Sequence, residues 1–190
     1  MFVDLLVALT LGIVIGFAVI AVLACRKPDH FHVQRDTLIR ARPSSIFPYL
    51  DDFHLGQAWS PFEKKDPDMA RRFFGAESGT GAGYAWSGDN RVGEGQIVVT
   101  ASVPDSKVVL QLDMVRPIKA SNVVEYRLEP HGAETRMIWS MHGKQPFMAR
   151  VMTLFIDCDG MLQREFDQGL AGLKRIVEVE ASPLREQALG

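Results

Sequence analysis

The chain carries 21 basic and 23 acidic residues in 190, a formal net charge of -2, and this balance excludes a nucleic-acid groove, which needs a basic excess. Its two cysteines, Cys25 and Cys158, are too far apart in the chain for a plausible disulfide framework. No Gly-x-Ser-x-Gly, P-loop or dinucleotide fingerprint occurs, so hydrolase and nucleotide chemistry lack support.

The first element is apolar throughout. From Leu5 to Cys25 there are no charged side chains, only aliphatic residues and Phe17 with Thr10, Gly12 and Gly16 between them. About 20 helical residues cover the ~30 Å hydrocarbon core of a bilayer, and only a helix satisfies its own backbone there. A cleaved secretory signal wants a basic start and a shorter apolar run, whereas Asp4 is acidic. A lipoprotein signal ending at Val22-Leu23-Ala24-Cys25 lacks the same basic start. The segment therefore reads as an uncleaved transmembrane helix over 5–25, after a short end at 1–4. Arg26 and Lys27 follow it and no basic residue precedes it, so the positive-inside bias puts the remainder on the cytoplasmic side of a single-pass membrane protein. Gly12 and Gly16 have the small-xxx-small spacing that packs two such helices, and a homodimer through them is one expected partnership.

Residues 26–30 read as a tether, and five extended residues reach at most ~18 Å. Residues 31–180 then read as one domain of about 150 residues, large enough for a real core, ahead of a polar tail at 181–190. Phe31 to Ala41 alternates as a strand, with Val33, Thr37 and Ile39 on its inner face. Pro43 stops it, and Ser44 is expected to cap a short helix through Ile46, Phe47 and Leu50. A second short segment carries Phe53, Leu55, Trp59 and Phe62, and residues 63–68 read as a solvated loop. Strands follow in succession: Arg71 to Phe74; a strand with Tyr84 and Trp86 on one face; then a hairpin turn at Ser87-Gly88-Asp89-Asn90. Next come Ile97, Val99, Ala101 and Val103; Val108, Leu110, Leu112 and Met114; Val124, Tyr126 and Leu128; and Thr135, Met137, Trp139 and Met141. This regular alternation predicts an antiparallel meander with one dry face and one wet face. From Pro146 to about Glu180 the period turns helical, with a bend at Gly160, and the long helix must bury its stripe against the dry face. Gly169 and Gly172 are expected to bring it close.

The order of elements resembles the helix-grip fold of the START-like (SRPBCC) superfamily, in its polyketide cyclase/dehydrase and lipid-transport branch. The stretch Ile39-Arg40-Ala41-Arg42-Pro43-Ser44-Ser45-Ile46-Phe47, followed by Asp52, Trp59 and Ser60-Pro61, is similar to that family's opening. Gly132-Ala133-Glu134-Thr135-Arg136-Met137-Ile138-Trp139 is similar to its last strand. The resemblance implies an α+β fold in which a curved antiparallel sheet of about six to seven strands wraps a long C-terminal helix. It also implies an apolar cavity between them for a lipid, quinone or polyketide-like guest.

Candidate chemistry is sparse. Glu94 lies between two glycines, but the strand alternation turns it outward. Asp157 and Asp159, two apart on a helix, point away from each other and read as helix caps rather than metal ligands. Cys158 has no basic sequence neighbour to lower its pKa. His30, His32 and His142 read as exposed polar residues. No catalytic residue, metal ligand or cofactor is called for. The residues expected to line a ligand site are Trp59, Tyr84, Trp86, Met114, Tyr126, Trp139, Met152 and Phe155. The reading is a membrane-tethered binder of a hydrophobic small molecule or lipid, more a binder than an enzyme. The alternatives are a polyketide cyclase/dehydratase-type enzyme and a protein-interaction module at the membrane.

Overall fold

The computed structural model describes residues 2–189, with side chains as far as Ala181. The apolar start forms one helix, α1 (Phe2–Arg26), long and apolar enough to cross a bilayer, with its most apolar window entirely unburied. Only Ala24 near its end is buried. Three residues later the chain enters β1 (His30–Ile39). Three single-turn helices follow, α2 (Pro43–Ile46), α3 (Pro48–Asp51) and α4 (Phe53–Gly56). Ser44 does not cap α2. Pro43 occupies its first turn and Arg42 the cap position without a side-chain bond, as expected where a proline has no N–H to satisfy. It is Asp52 that caps, accepting the His54 backbone N–H at 2.7 Å.

Six further strands complete one antiparallel sheet: β2 (Ala70–Gly75), β3 (Ala82–Ser87), β4 (Glu94–Val103), β5 (Lys107–Arg116), β6 (Ala120–His131) and β7 (Glu134–Lys144). Their spatial order is β1-β7-β6-β5-β4-β3-β2, a meander closed at one edge by the first strand. The inner faces of β5, β6 and β7 follow the expected alternation, with Val108, Leu110, Val124, Leu128, Thr135 and Met137 buried. β4 departs from it. Val99 faces Leu110 and Ala101 faces Val109, so Thr100 is an extra, unpaired residue. Such a bulge flips every later side chain to the other face. Ser102 therefore points inward, its hydroxyl donating to Asp51 at 2.6 Å, and Val103 is exposed, against the expected run of Ile97, Val99, Ala101 and Val103 on one face.

The helical region is broken earlier than Gly160. α5 (Phe147–Met152) ends in a turn, and α6 (Cys158–Leu189) starts beyond it. Asp157 caps α6 by accepting the Gly160 N–H at 2.9 Å, so Gly160 lies inside the first turn. The expected tail from 181 on falls on the last turns of α6, and its side chains from residue 182 lie outside the described residues. α6 presents Leu162, Phe166, Leu170, Leu173 and Val177, of which the last four are fully buried, at the spacing of one helical face. It lies closest to β1, where the Arg35 and Asp167 side chains pair at 3.3 Å and Lys174 donates to the Leu38 carbonyl at 2.8 Å. Gly169 meets the sheet itself, because a Cβ there would lie 2.6 Å from the Trp139 ring. Gly172 instead sits over the Trp59 backbone.

α5 is turned away from this core and lies against the end of α1. The Lys27 ammonium donates to the Thr153 carbonyl at 2.7 Å, and the Gln145 N–H donates to the Asp29 carbonyl at 2.6 Å. The link between α1 and the domain is thus pinned at both ends.

Candidate functional site

Between the concave sheet and α6 lies a cavity of about 390 Å³. A floor of aromatic rings runs through it. Trp139 on β7 stacks on Phe166 of α6 at 4.1 Å between ring centres and meets Trp59 and Tyr126 edge-on at 5.3 and 5.5 Å. Trp59 is fixed in turn by its indole N–H, which donates to the Tyr49 carbonyl at 2.8 Å. On the other side Tyr84 and Trp86, alternate residues of β3, stack at 5.9 Å, and Trp86 donates to the Val92 carbonyl at 3.1 Å. Leu112, Met114, Val124 and Met141 fill the wall between. Edge-on and offset ring pairs of this kind each add ~0.5–1.5 kcal/mol beyond their burial.

Six of the eight residues read from the sequence therefore stand on the cavity wall: Trp59, Tyr84, Trp86, Met114, Tyr126 and Trp139. Met152 and Phe155 do not. Met152 ends α5 and is 38% exposed, and Phe155 in the following turn is 70% exposed. One continuous helical stripe would have carried them inward, but the break at residues 153–157 leaves them on the outer side beside α1. The Ser87–Asn90 turn is also longer than expected. It runs from Gly88 to Gly93, closed by the Gly88 N–H on the Gly93 carbonyl at 2.9 Å, and it folds Asn90, Arg91 and Val92 onto the cavity.

Two polar features of the wall are absent from the sequence reading. The first is Glu63. Its Oε1 accepts the Tyr84 hydroxyl at 2.5 Å and its Oε2 accepts the Arg71 Nε–H at 2.8 Å. With a side chain only 12% exposed, it is no member of a solvated loop. Burial, then the bond to Glu63, pushes the Tyr84 hydroxyl pKa well above the usual tyrosine value, and the same carboxylate holds Arg71 more firmly protonated. No local pattern marks Glu63, since Tyr84 is 21 positions away.

The second is Asn122, near the start of β6. It is 7% exposed, lines the cavity, and its Oδ1 is buried without a hydrogen-bond partner. It sits over Gly143, its cross-strand partner, where any Cβ would collide with that oxygen. Extending the β6 alternation back one step from Val124 would have found it.

Glu94, by contrast, lies outside the cavity and pairs with Arg116 at 2.8 Å. His32 and His142 are exposed cross-strand partners with ring centres 6.3 Å apart. Among the described residues no three His, Cys, Asp or Glu side chains gather as metal ligands would.

A search of curated proteins finds no match to this chain. Solved structures of the same architecture are numerous, and their low identity speaks to the fold alone. The Mesorhizobium loti protein MLL2253 superposes with a TM-score of 0.58 at 18% identity, covering 78% of this chain and 97% of its own. The Aha1 protein of Colwellia psychrerythraea, solved as a dimer, gives 0.56 at 15%, covering 78% and 97%. DynU16, from the dynemicin biosynthetic locus, gives 0.54 at 14% and covers 80% of this chain but 48% of its own. The family profile described as polyketide cyclase / dehydrase and lipid transport matches residues 30–178, the whole sheet together with α5 and most of α6. On that match, the chain belongs to the polyketide cyclase / dehydrase and lipid transport family.

Proposed function

We propose that this domain holds a hydrophobic small molecule in the cavity between sheet and α6 while α1 anchors it to a membrane. The observation that carries the reading is the cavity itself. Its volume of about 390 Å³ lies within the ~300–1,000 Å³ of small-molecule sites. That volume weighs against a collapsed interaction module.

The anchor is supported by the length and unburied apolar surface of α1. It is supported also by the neighbourhood of its exit, where Phe147, Met148, Met152, Phe155 and Ile156 expose apolar surface on and after α5. Arg26 and Lys27 at that exit favour the cytoplasmic side. Gly12 and Gly16 have nothing within 4 Å, which suits a second copy of α1. A pinned link of three residues weighs against long-range ferrying, so loading and release at one bilayer face fit better.

An enzyme of the cyclase or dehydratase type has one observation in its favour, the Glu63 carboxylate and Tyr84 hydroxyl on the wall. Both oxygens of Glu63 are already committed, however, and a general base needs one free toward the substrate.

Native mass spectrometry of the full chain released from lipid nanodiscs tests the binding reading. It is expected to show one non-covalent guest that is lost on collisional activation. A protein that emerges empty from every lipid background refutes it.

A further inference from the structure

The segment after β7 carries its apolar residues outward. Residues 147–156 hold seven large apolar side chains in ten positions and one charge, Arg150. α5 itself ends at Met152, but its winding continues: the Thr153 N–H donates to the Ala149 carbonyl and the Ile156 N–H to the Met152 carbonyl, both at 3.0 Å. Met148, Met152 and Phe155 thus stand at the spacing of one helical face, and all three are exposed, as are Phe147 and Ile156. Elsewhere outside α1, the described residues expose large apolar side chains no more than two to an element. Scattered ones are ordinary, whereas a continuous exposed patch marks a docking surface.

The place of the patch beside α1 says what covers it. α5 packs against the end of α1, where Ala24 is the buried residue of that helix. There the Lys27 ammonium donates to both the carbonyl and the hydroxyl of Thr153, at 2.7 and 3.1 Å. Ala24 lies three residues before Lys27, ~4.5 Å along the helix, so α5 stands at the depth where an α1 that crosses a bilayer leaves it. An interfacial helix buries its apolar face ~5–10 Å into the headgroup and acyl boundary, which is the same depth. The charge agrees. Residues 24–29 and 144–156 carry Arg26, Lys27, Lys144 and Arg150 against one acid, Asp29, which is paired with His30 at 2.9 Å. Asp157 and Asp159 come only after the patch, and Asp157 is turned onto the Gly160 N–H. Anionic headgroups attract such a basic set, and the Arg150 guanidinium, 5.9 Å from the centre of the Phe147 ring, is long enough to reach them from an apolar face.

We propose that residues 147–156 lie flat in the interface of the bilayer that α1 crosses, with Met148, Met152 and Phe155 among the acyl chains and Arg26, Lys144 and Arg150 at the headgroups. This rests on α1 being a membrane anchor. The pinned link fixes α1 against α5, and the bilayer contact of α5 then fixes the tilt of the domain on the membrane. It holds toward the lipid the end of the sheet where β1 begins and β7 ends. The cavity wall reaches that end, because Leu112 and Asn122 stand in register with Gly143 and, beyond it, with Phe31 at the start of β1.

Nitroxide labels at Met148→Cys, Met152→Cys and Phe155→Cys test this, one at a time in a Cys25→Ser/Cys158→Ser full chain held in nanodiscs of phosphatidylcholine and phosphatidylglycerol. Spin relaxation by oxygen, which gathers in lipid, is compared with relaxation by a neutral nickel chelate, which stays in water. Val14→Cys, in the middle of α1, gives the lipid limit. Val103→Cys, exposed at the other end of the β4–β5 pair, gives the water limit. The oxygen-to-nickel ratio at the three sites is expected to exceed that at Val103→Cys by about fivefold or more, as burial below the headgroups requires. Ratios at the water limit, beside a lipid-like ratio at Val14→Cys, overturn the proposal and leave the anchor standing. Low access to both agents means that a protein or a second copy covers the patch, and overturns it equally. A water-like ratio at Val14→Cys removes the anchor reading and the proposal with it. Each label replaces an exposed side chain, and a site whose circular dichroism melt falls below that of its parent is set aside for the other two.

Discussion

Gly169 and Gly172 lie three apart on α6, both against the core, and the structure sets them at different clearances. An alanine Cβ at 169 would stand 2.6 Å from Cζ3 of Trp139 and 3.1 Å from Pro61. That indole has no room to yield, being stacked on Phe166 and met edge-on by Trp59 and Tyr126. At 172 the nearest atom, the Trp59 carbonyl oxygen, is 3.3 Å away, a clearance met by a shift of a few tenths of an ångström. Each Gly→Ala change gains the same helix propensity, ~1 kcal/mol, so the propensity cancels in the comparison. What remains is overpacking at 169, ~1–3 kcal/mol. For a domain of this size that is about 2–4 °C per kcal/mol, so Gly169→Ala should melt about 2–12 °C below Gly172→Ala. Circular dichroism melts of the two variants, side by side in one detergent, give the difference. If Gly169→Ala melts at or above Gly172→Ala, α6 does not sit on the Trp139 ring as described.

Three further outcomes follow from the same contacts. Burial, then the bond donated to Glu180, raises the Tyr49 hydroxyl pKa from 10.0 to about 12; because the folded value is the higher one, the stability it contributes is whole below pH 10 and lost as pH rises toward 12. Urea unfolding of the native chain and Tyr49→Phe should therefore differ most below pH 10 and converge above it. Asp157→Ala removes the N-cap of α6 and should cost ~0.5–2 kcal/mol, read as a fall of several degrees in the melt, with Asp159→Ala nearly silent. Asn122→Leu replaces a buried, unpartnered amide by an apolar group of similar shape; relieving that burial, ~1–3 kcal/mol, should raise the melting temperature of the empty protein, and a fall instead would show that the amide is satisfied.

The fold was legible where burial has a period. On β5, β6 and β7 every second residue is inside, and on α6 Phe166, Leu170, Leu173 and Val177 follow one helical stripe, so hydrophobicity alone names the faces. It failed where a single residue changes phase. Thr100 has no composition that announces a bulge, yet it turns Ser102 in and Val103 out. In the same way the turn at residues 153–157 cuts a stripe that looks continuous, which is how Met152 and Phe155 came to be placed inside.

The site was half legible for the same reason. Its rings lie on periodic elements: Tyr84 and Trp86 on β3, Tyr126 on β6 and Trp139 on β7. Asn122 obeys the same alternation as Tyr126 and Val124, but a polar residue at an inward position reads as noise until its neighbours are seen to be dry. Gly143 supplies the missing sign, because only a residue without a side chain leaves room for that amide. Glu63 has no such sign at all. Its place on the wall depends on β3 and β2 folding back to bring Tyr84 and Arg71 to its two oxygens, and a pairing of that kind exists only once the sheet has formed. The apolar lining of this cavity therefore belongs to the periodic part of the sequence, and the Glu63–Tyr84–Arg71 cluster to the part that only tertiary structure brings together.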